Sequence, residues 1–155
     1  MATTYQLYTA EQRERRDATI WTLVQGVLAP LQFAVFAISL GLVLRYLLTG
    51  EGYAIATMSI IAKTALLYLI MVTGAIWEKI VFGQWLFAAA FFWEDVFSFF
   101  VIALHTIYLY GLITGAIAPD TLIVIVLAAY AAYVINAGQF LWKLRMARLQ
   151  SQVMA

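Results

Sequence analysis

The sequence predicts an all-α integral membrane protein, a four-helix up-down bundle with a short amphipathic helix at its N-terminus. Of 155 residues, 65% are hydrophobic and 11% charged. Nine Lys and Arg and eight Asp and Glu residues cannot supply the polar exterior that a water-soluble domain of this size needs. Residues 18–44, 96–119 and 121–142 carry no formal charge, and each exceeds the roughly 20 helical residues that cross a bilayer. A fourth stretch, 52–77, is apolar except for Lys63. Spans are therefore expected near 22–47, 54–78, 92–115 and 120–143, within one membrane domain covering 1–155.

The N-terminal segment does not read as a signal peptide, because Glu11, Arg13, Glu14, Arg15, Arg16 and Asp17 precede the first apolar run. Thr9 with Gln12 three residues later forms a capping-box pattern and predicts a short polar helix leading into the first span. In that span Pro30 predicts a kink, and Gln25, Gln32 and Ser39 recur every seven residues, which places them on one face. The second span carries Lys63, expected to be structural or to snorkel outward, and ends at Trp77, Glu78 and Lys79. An aromatic connection from Ile80 to Trp93 follows, too apolar to lie free in water and expected to fold back into the interface or the bundle mouth. In the third span Glu94, Ser98, His105 and Tyr108 fall at offsets of 4, 7 and 3 and share a face directed inward. The fourth presents Tyr133, Asn136, Gln139 and Lys143 as a second polar stripe.

Short turns make sequential helices antiparallel neighbours. Arg13, Arg15 and Arg16 near one end and Lys143, Arg145 and Arg148 near the other give both termini a cytoplasmic bias, which an even number of spans satisfies. Leu48 to Tyr53 and Ile117 to Asp120 then lie outside, with Arg45 against this rule and Glu51 partly offsetting it.

Composition also excludes chemistry. Without cysteine there are no disulfides, thiolate metal sites or cysteine nucleophiles, and His105, the sole histidine, precludes sites that need two imidazoles within the chain. A formal net charge of +1 offers no basic face for nucleic acid. Flat aromatic surfaces beside acids, at Trp77-Glu78-Lys79 and Trp93-Glu94-Asp95, suit a large planar ligand.

Several runs carry a family resemblance: Tyr8-Thr9-Ala10-Glu11-Gln12-Arg13, the stretch Trp21 to Phe33, the segment Gly74 to Gln84, Ala90-Phe91-Phe92-Trp93-Glu94-Asp95-Val96-Phe97-Ser98, Leu104-His105-Thr106 and Asn136-Ala137-Gly138-Gln139-Phe140. Over residues 7–148 the chain resembles the vinyl-bacteriochlorophyllide hydratases of bacteriochlorophyll biosynthesis. The resemblance implies addition of water to the 3-vinyl group of chlorophyllide a or bacteriochlorophyllide, giving a 1-hydroxyethyl group. The partners it implies are that pigment and the lipid bilayer of a bacterial inner or intracytoplasmic photosynthetic membrane. A homo-oligomer, or contact with other pigment-biosynthesis enzymes, stays open. No cofactor is expected, magnesium belonging to the substrate.

Such hydration needs a proton donor, a placed water and tolerance of positive charge. Glu78 ends its span, where the carbonyl end of the helix dipole and partial burial disfavour a carboxylate, so it suits the donor. Glu94 and Asp95 begin a helix, whose free N–H groups favour ionised acids. Glu94, on the His105 face, is expected to orient water and stabilise the cation. Asp95, about 100° around the helix, is expected to cap it or to pair with Lys79. Trp77, Lys79, Phe91, Trp93, Ser98, His105, Tyr108, Asn136 and Gln139 complete the expected substrate-binding set, with His105 either an axial ligand of the substrate's magnesium or a hydrogen-bonding helix residue. First-turn acids more often serve as caps, and boundary aromatics as membrane anchors. A non-catalytic pigment-binding or pigment-transfer protein is the alternative.

Overall fold

The computed structural model describes residues 6–155. Among them five helices follow in order, α1 (Ala10–Ala18), α2 (Ile20–Thr49), α3 (Tyr53–Phe82), α4 (Phe92–Thr114) and α5 (Pro119–Val153), and no strand occurs. The capping box forms as the sequence predicts: the Gln12 N–H donates to the Thr9 hydroxyl at 3.2 Å and the Thr9 N–H to the Gln12 side chain at 2.9 Å. Two otherwise orphaned donors of α1 are thereby satisfied. After Ala18 the chain re-caps at Thr19, whose hydroxyl accepts from the Trp21 N–H, and α2 then runs unbroken through Pro30.

The helices outrun the expected spans, because hydropathy marks where a chain enters lipid whereas a helix ends where its backbone ladder stops. α3 continues to Phe82 rather than 78 and stops at Gly83, which takes φ 85 and donates its N–H to the Lys79 carbonyl. That left-handed cap conformation is open to glycine at little cost. Glu78 thus lies a full turn inside α3. α5 continues ten residues past position 143 to Val153. At 1.5 Å per residue, α2 and α3 are about 45 Å long and α5 about 52 Å, more than the roughly 30 Å of a hydrocarbon core.

α2 and α3 pack closely as one hairpin and α4 and α5 as another, and the two hairpins meet through side chains more than through close backbone approach. The heptad-spaced polar positions of α2, Gln25, Gln32 and Ser39, turn inward. Gln25 donates to the Thr73 hydroxyl at 2.6 Å, Gln32 is 3% exposed, and the Ser39 hydroxyl bonds Ser59 at 2.7 Å and Tyr130 at 2.6 Å. Trp77 donates its indole N–H to Thr22 at 2.9 Å, and Tyr68 bonds Thr106 across the hairpins. Each such bond contributes on the order of 1 kcal/mol between helices in lipid. Between them lies an apolar core that includes Phe36, Val43, Ile60, Leu67, Val101 and Val126. At the α4–α5 turn a Cβ on Gly111 would come within 2.5 Å of Ile117, so this close approach requires glycine.

The outward faces expose Leu23, Val27, Ile38, Met58, Ile113 and Val124. An apolar exterior around a core holding the polar residues belongs in lipid, and four helices are long and apolar enough to cross it. The chain is a multi-pass membrane protein. A second apolar cluster closes one end of the bundle, where Leu7 and Tyr8 fold over Val81, Phe91 and Ala147. Arg15 reinforces this closure by donating to the Val81 carbonyl at 3.1 Å, satisfying one of the last acceptors of α3.

Candidate active site

The connection between α3 and α4 folds back on the bundle end, as its apolar composition requires. Ala88, Ala90 and Phe91 are buried, whereas Trp85 and Phe87 stay exposed. Phe91 stacks on Phe140 at 5.9 Å and meets Trp77 and Phe82 edge-on. The loop is pinned from below by two acids. The Phe87 N–H donates to Asp95 Oδ2 at 2.8 Å and the Ala88 N–H to Glu78 Oε1 at 3.3 Å. Phe87 takes φ 60, a left-handed conformation that is costly for a side chain of this size, and the bond to Asp95 holds it there.

Glu78 from α3 and Asp95 from α4 are 3% and 6% exposed, and because they accept from the N–H groups of successive residues their carboxyl groups converge beneath the loop. Two converging carboxylates repel, and one proton placed between them turns the repulsion into a hydrogen bond. The arrangement departs from the expectation that Asp95 caps its helix or pairs with Lys79. Lys79 is exposed, donates to the Gly83 carbonyl at 2.9 Å and lies 6.0 Å from the Trp85 ring centroid. Being adjacent to Glu78 in sequence turns it about 100° around α3, away from the acids.

Glu94 is also buried, at 6% exposed, but faces α5. Its Oε2 lies 3.6 Å from Lys143 Nζ and has no hydrogen-bond partner. Lys143 gives its short bond, 2.6 Å, to the Ala90 carbonyl, so a single cation ties the loop, α4 and α5 together. The backbone carbonyl of Glu94 accepts from the Ser98 hydroxyl at 2.8 Å and the Asn136 amide at 3.0 Å, and Asn136 also bonds Ser98 and Gln139. The two polar stripes foreseen on the third and fourth spans therefore interlock, with Gln139 half-buried at their edge.

The remaining expected residues divide. Phe91 and Trp77 belong to the bundle-end cluster beneath the loop. Trp93 does not line the site: it is 70% exposed and directed outward, since one residue of offset from the buried Glu94 rotates it toward lipid. Tyr108 is buried far from the acids, 13 residues or about 20 Å along α4 from Asp95. His105 is 1% exposed, ten residues or about 15 Å from Asp95, with Nδ1 on the Val101 carbonyl at 2.8 Å. A carbonyl only accepts, so Nδ1 donates, and Nε2 is left buried and without a partner.

Sequence reasoning missed the backbone N–H groups of Phe87 and Ala88 and the Lys143–Glu94 pairing. Only the second had a signal, Lys143 lying at the end of the stripe nearest the acids. Beside Ala88 a recess of about 320 Å³ opens, bordered by Leu7, Gln12, Phe82 and Gln84, wide enough for one edge of a planar ligand. Tyr8 lies nearby, where burial pushes its phenol above the ordinary range and the Arg16 guanidinium, 4.8 Å over the ring, acts in opposition. Among the described residues no cluster of three His, Asp or Glu side chains could hold a metal ion.

A family profile describing 2-vinyl bacteriochlorophyllide hydratase matches residues 8–146. The chain is 77% identical over 147 residues to the 2-vinyl bacteriochlorophyllide hydratase of Cereibacter sphaeroides, an alignment covering 94% of this chain and 91% of that protein. To the protein of the same name from Rhodobacter capsulatus it is 72% identical over 146 residues, covering 94% and 84%. No solved structure matches significantly.

Proposed function

The chain belongs to the 2-vinyl bacteriochlorophyllide hydratase family, and on that premise we propose that its buried acids add water across the vinyl group of a bacteriochlorophyllide. It is a hydro-lyase of bacteriochlorophyll biosynthesis. The observation that carries the mechanism is the burial of three carboxyl groups at one end of an apolar bundle, two of them converging beneath the loop and the third with a free oxygen. Acids that only capped helices would lie at the aqueous surface, where water solvates them at no cost.

The proton held between Glu78 and Asp95 goes to the terminal vinyl carbon, and the π electrons of the C=C bond form the new C–H bond. Positive charge develops at the adjacent carbon and spreads into the macrocycle. The carboxylate of Glu94 orients a water whose oxygen bonds to that carbon, and the released proton returns to the carboxyl groups. The sum is H and OH added across one double bond, with no oxidant, reductant or cofactor required. For His105 we take a hydrogen-bonding rather than a metal-ligating role. A macrocycle whose vinyl group meets the acids carries its magnesium only roughly 6 Å from the vinyl carbons, whereas the imidazole lies about 15 Å along the helix from Asp95.

The purified chain, given bacteriochlorophyllide in heavy-oxygen water without added cofactor, should yield a 1-hydroxyethyl pigment carrying one heavy oxygen atom. Recovery of bound but unaltered vinyl pigment would instead identify a pigment carrier.

The site's placement at the inner surface belongs to the same reading. Arg13, Arg15, Arg16, Arg145 and Arg148 all lie at the end that holds the acids, which points to both termini in the cytoplasm. The absence of native cysteine allows single-cysteine labelling. Ala155→Cys should react from inside only, and Glu51→Cys and Asp120→Cys from outside only. Ala2, which lies outside the described residues, should label like Ala155. Opposite sidedness of the two termini would overturn the orientation.

A further inference from the structure

Lys63 is expected to be structural or to snorkel to the surface, yet it is 0% exposed in the middle of α3. Its Nζ sits 3.7 Å from the centroid of the Tyr133 ring and has no hydrogen-bond partner. Among the described residues no carboxylate pairs with it. Three other buried polar atoms of the long helices lack partners, Nε2 of His105, Nε2 of Gln32 and Oε2 of Glu94. The ring of His105 packs 5.9 Å from Tyr130, the neighbour of Tyr133 through Phe36. A cation in lipid with donors unmet is expensive, and an aromatic face compensates only in part. Such a group is retained where something brings it an acceptor.

We propose that Lys63 is the recognition residue for an oxygen acceptor on the edge of the macrocycle opposite the vinyl group. The proposal rests on the hydration reading for the identity of the pigment, and its geometry comes from the helices. Tyr133, which holds the ammonium, is ten residues from Lys143 on α5, about 15 Å along the axis. Lys143 is in turn 3.6 Å from Glu94. In a tetrapyrrole of this class the ring ketone and the propionate carboxylate lie across the macrocycle from the vinyl group, at roughly 12 Å by summed bond lengths. Along α3 Lys63 is 15 residues, about 22 Å, from Glu78, so a pigment standing along the seam between the hairpins with its far edge on Lys63 meets the acids when the lysine and glutamate side chains extend toward each other to span the difference. The hairpins meet there largely through side chains, so a flat ring enters by displacing Tyr133 and its neighbours rather than by breaking a helix.

The ketone and the carboxylate offer the same chemistry, an electron-rich oxygen for an ammonium donor, and the experiment separates them. The full chain in lipid nanodiscs is titrated with bacteriochlorophyllide, with its propionate methyl ester, and with a counterpart in which the ring ketone is a methylene. Wild-type protein should bind one of the altered pigments about tenfold or more weaker than the parent, the size expected for a buried hydrogen bond to a charged group. Weakening by the ester identifies the carboxylate, and weakening by the methylene identifies the ketone. Lys63→Met should erase that preference, leaving the three pigments alike, whereas Lys63→Gln, which keeps a neutral donor, should retain part of a ketone preference.

Equal binding of all three pigments to the wild type overturns the proposal without recourse to any variant. So does a preference that survives in Lys63→Met. Product formation scored on the same samples separates the two readings: a Lys63-dependent preference without hydration removes the enzyme and keeps the recognition site, and hydration without any preference does the reverse.

Discussion

Glu78→Gln should leave the bundle folded and pigment binding near normal while lowering turnover by about 10²-fold or more, the usual contribution of a positioned proton donor. The amide is nearly isosteric and its oxygen still accepts from the Ala88 N–H, so the loop stays pinned. What disappears is the transferable proton. Asp95→Asn should be impaired on a similar scale. Although the spacing along the helix favours Glu94 as the partner acid, it is Asp95 that shares the loop backbone with Glu78, while Glu94 faces Lys143. The asparagine also keeps an acceptor for the Phe87 N–H, so a collapse of the loop cannot mimic the catalytic loss. Single-turnover rates beside an equilibrium binding titration make the check. Near-normal turnover by both variants would remove the shared proton from the mechanism.

The second large effect is expected at Glu94, for a different reason. Its Oε2 is buried and free of hydrogen bonds, with Lys143 at 3.6 Å, too far for a good bond. Glu94→Gln should lower turnover by about 10²-fold, because an amide neither accepts the proton of water nor balances a cationic macrocycle. Lys143→Met should act through structure as well as chemistry. It removes the bond to the Ala90 carbonyl and leaves Glu94 buried without its counter-ion, a loss smaller than the roughly 3 kcal/mol of a fully buried pair because Lys143 is a quarter exposed. Pairing the two substitutions tests the assignment. If Glu94 serves only to hold Lys143, Glu94→Gln should cost stability rather than turnover. If it serves the reaction, thermal unfolding in micelles should change little while the rate falls.

The bundle was legible in the chain because lipid imposes a one-dimensional rule. A span must be long, apolar and internally hydrogen-bonded, so runs without charge mark helices wherever they fold, and their number follows from counting. The α1 cap was legible because Thr9 and Gln12 satisfy each other locally, with no help from distant residues. Face assignments were legible for the same reason, since 100° per residue is a local constant. Gln32, Ser39, Glu94, Ser98, His105 and Tyr108 are all buried as that spacing requires. Helix ends were less so, because Phe82 and Val153 are set by caps and polar extensions that hydropathy does not register.

The sequence by itself determined the class, the number of spans, the inward stripes and the gathering of acids near one end. Only the tertiary structure decided which side chains meet. Glu94 and Asp95 are neighbours, and whether one or the other reaches Glu78 depends on the rotation of α4 against α3 and on the path of a loop that bends at Phe87. Lys63 is a surface or an interior cation according to how α3 is turned against α5, and Trp93 is a lining or an outward ring by the same kind of choice. Local spacing fixes the angle between residues on one helix. The angle between helices comes from the packing of all of them together, as the Phe36, Tyr130 and Tyr133 contacts between the hairpins illustrate.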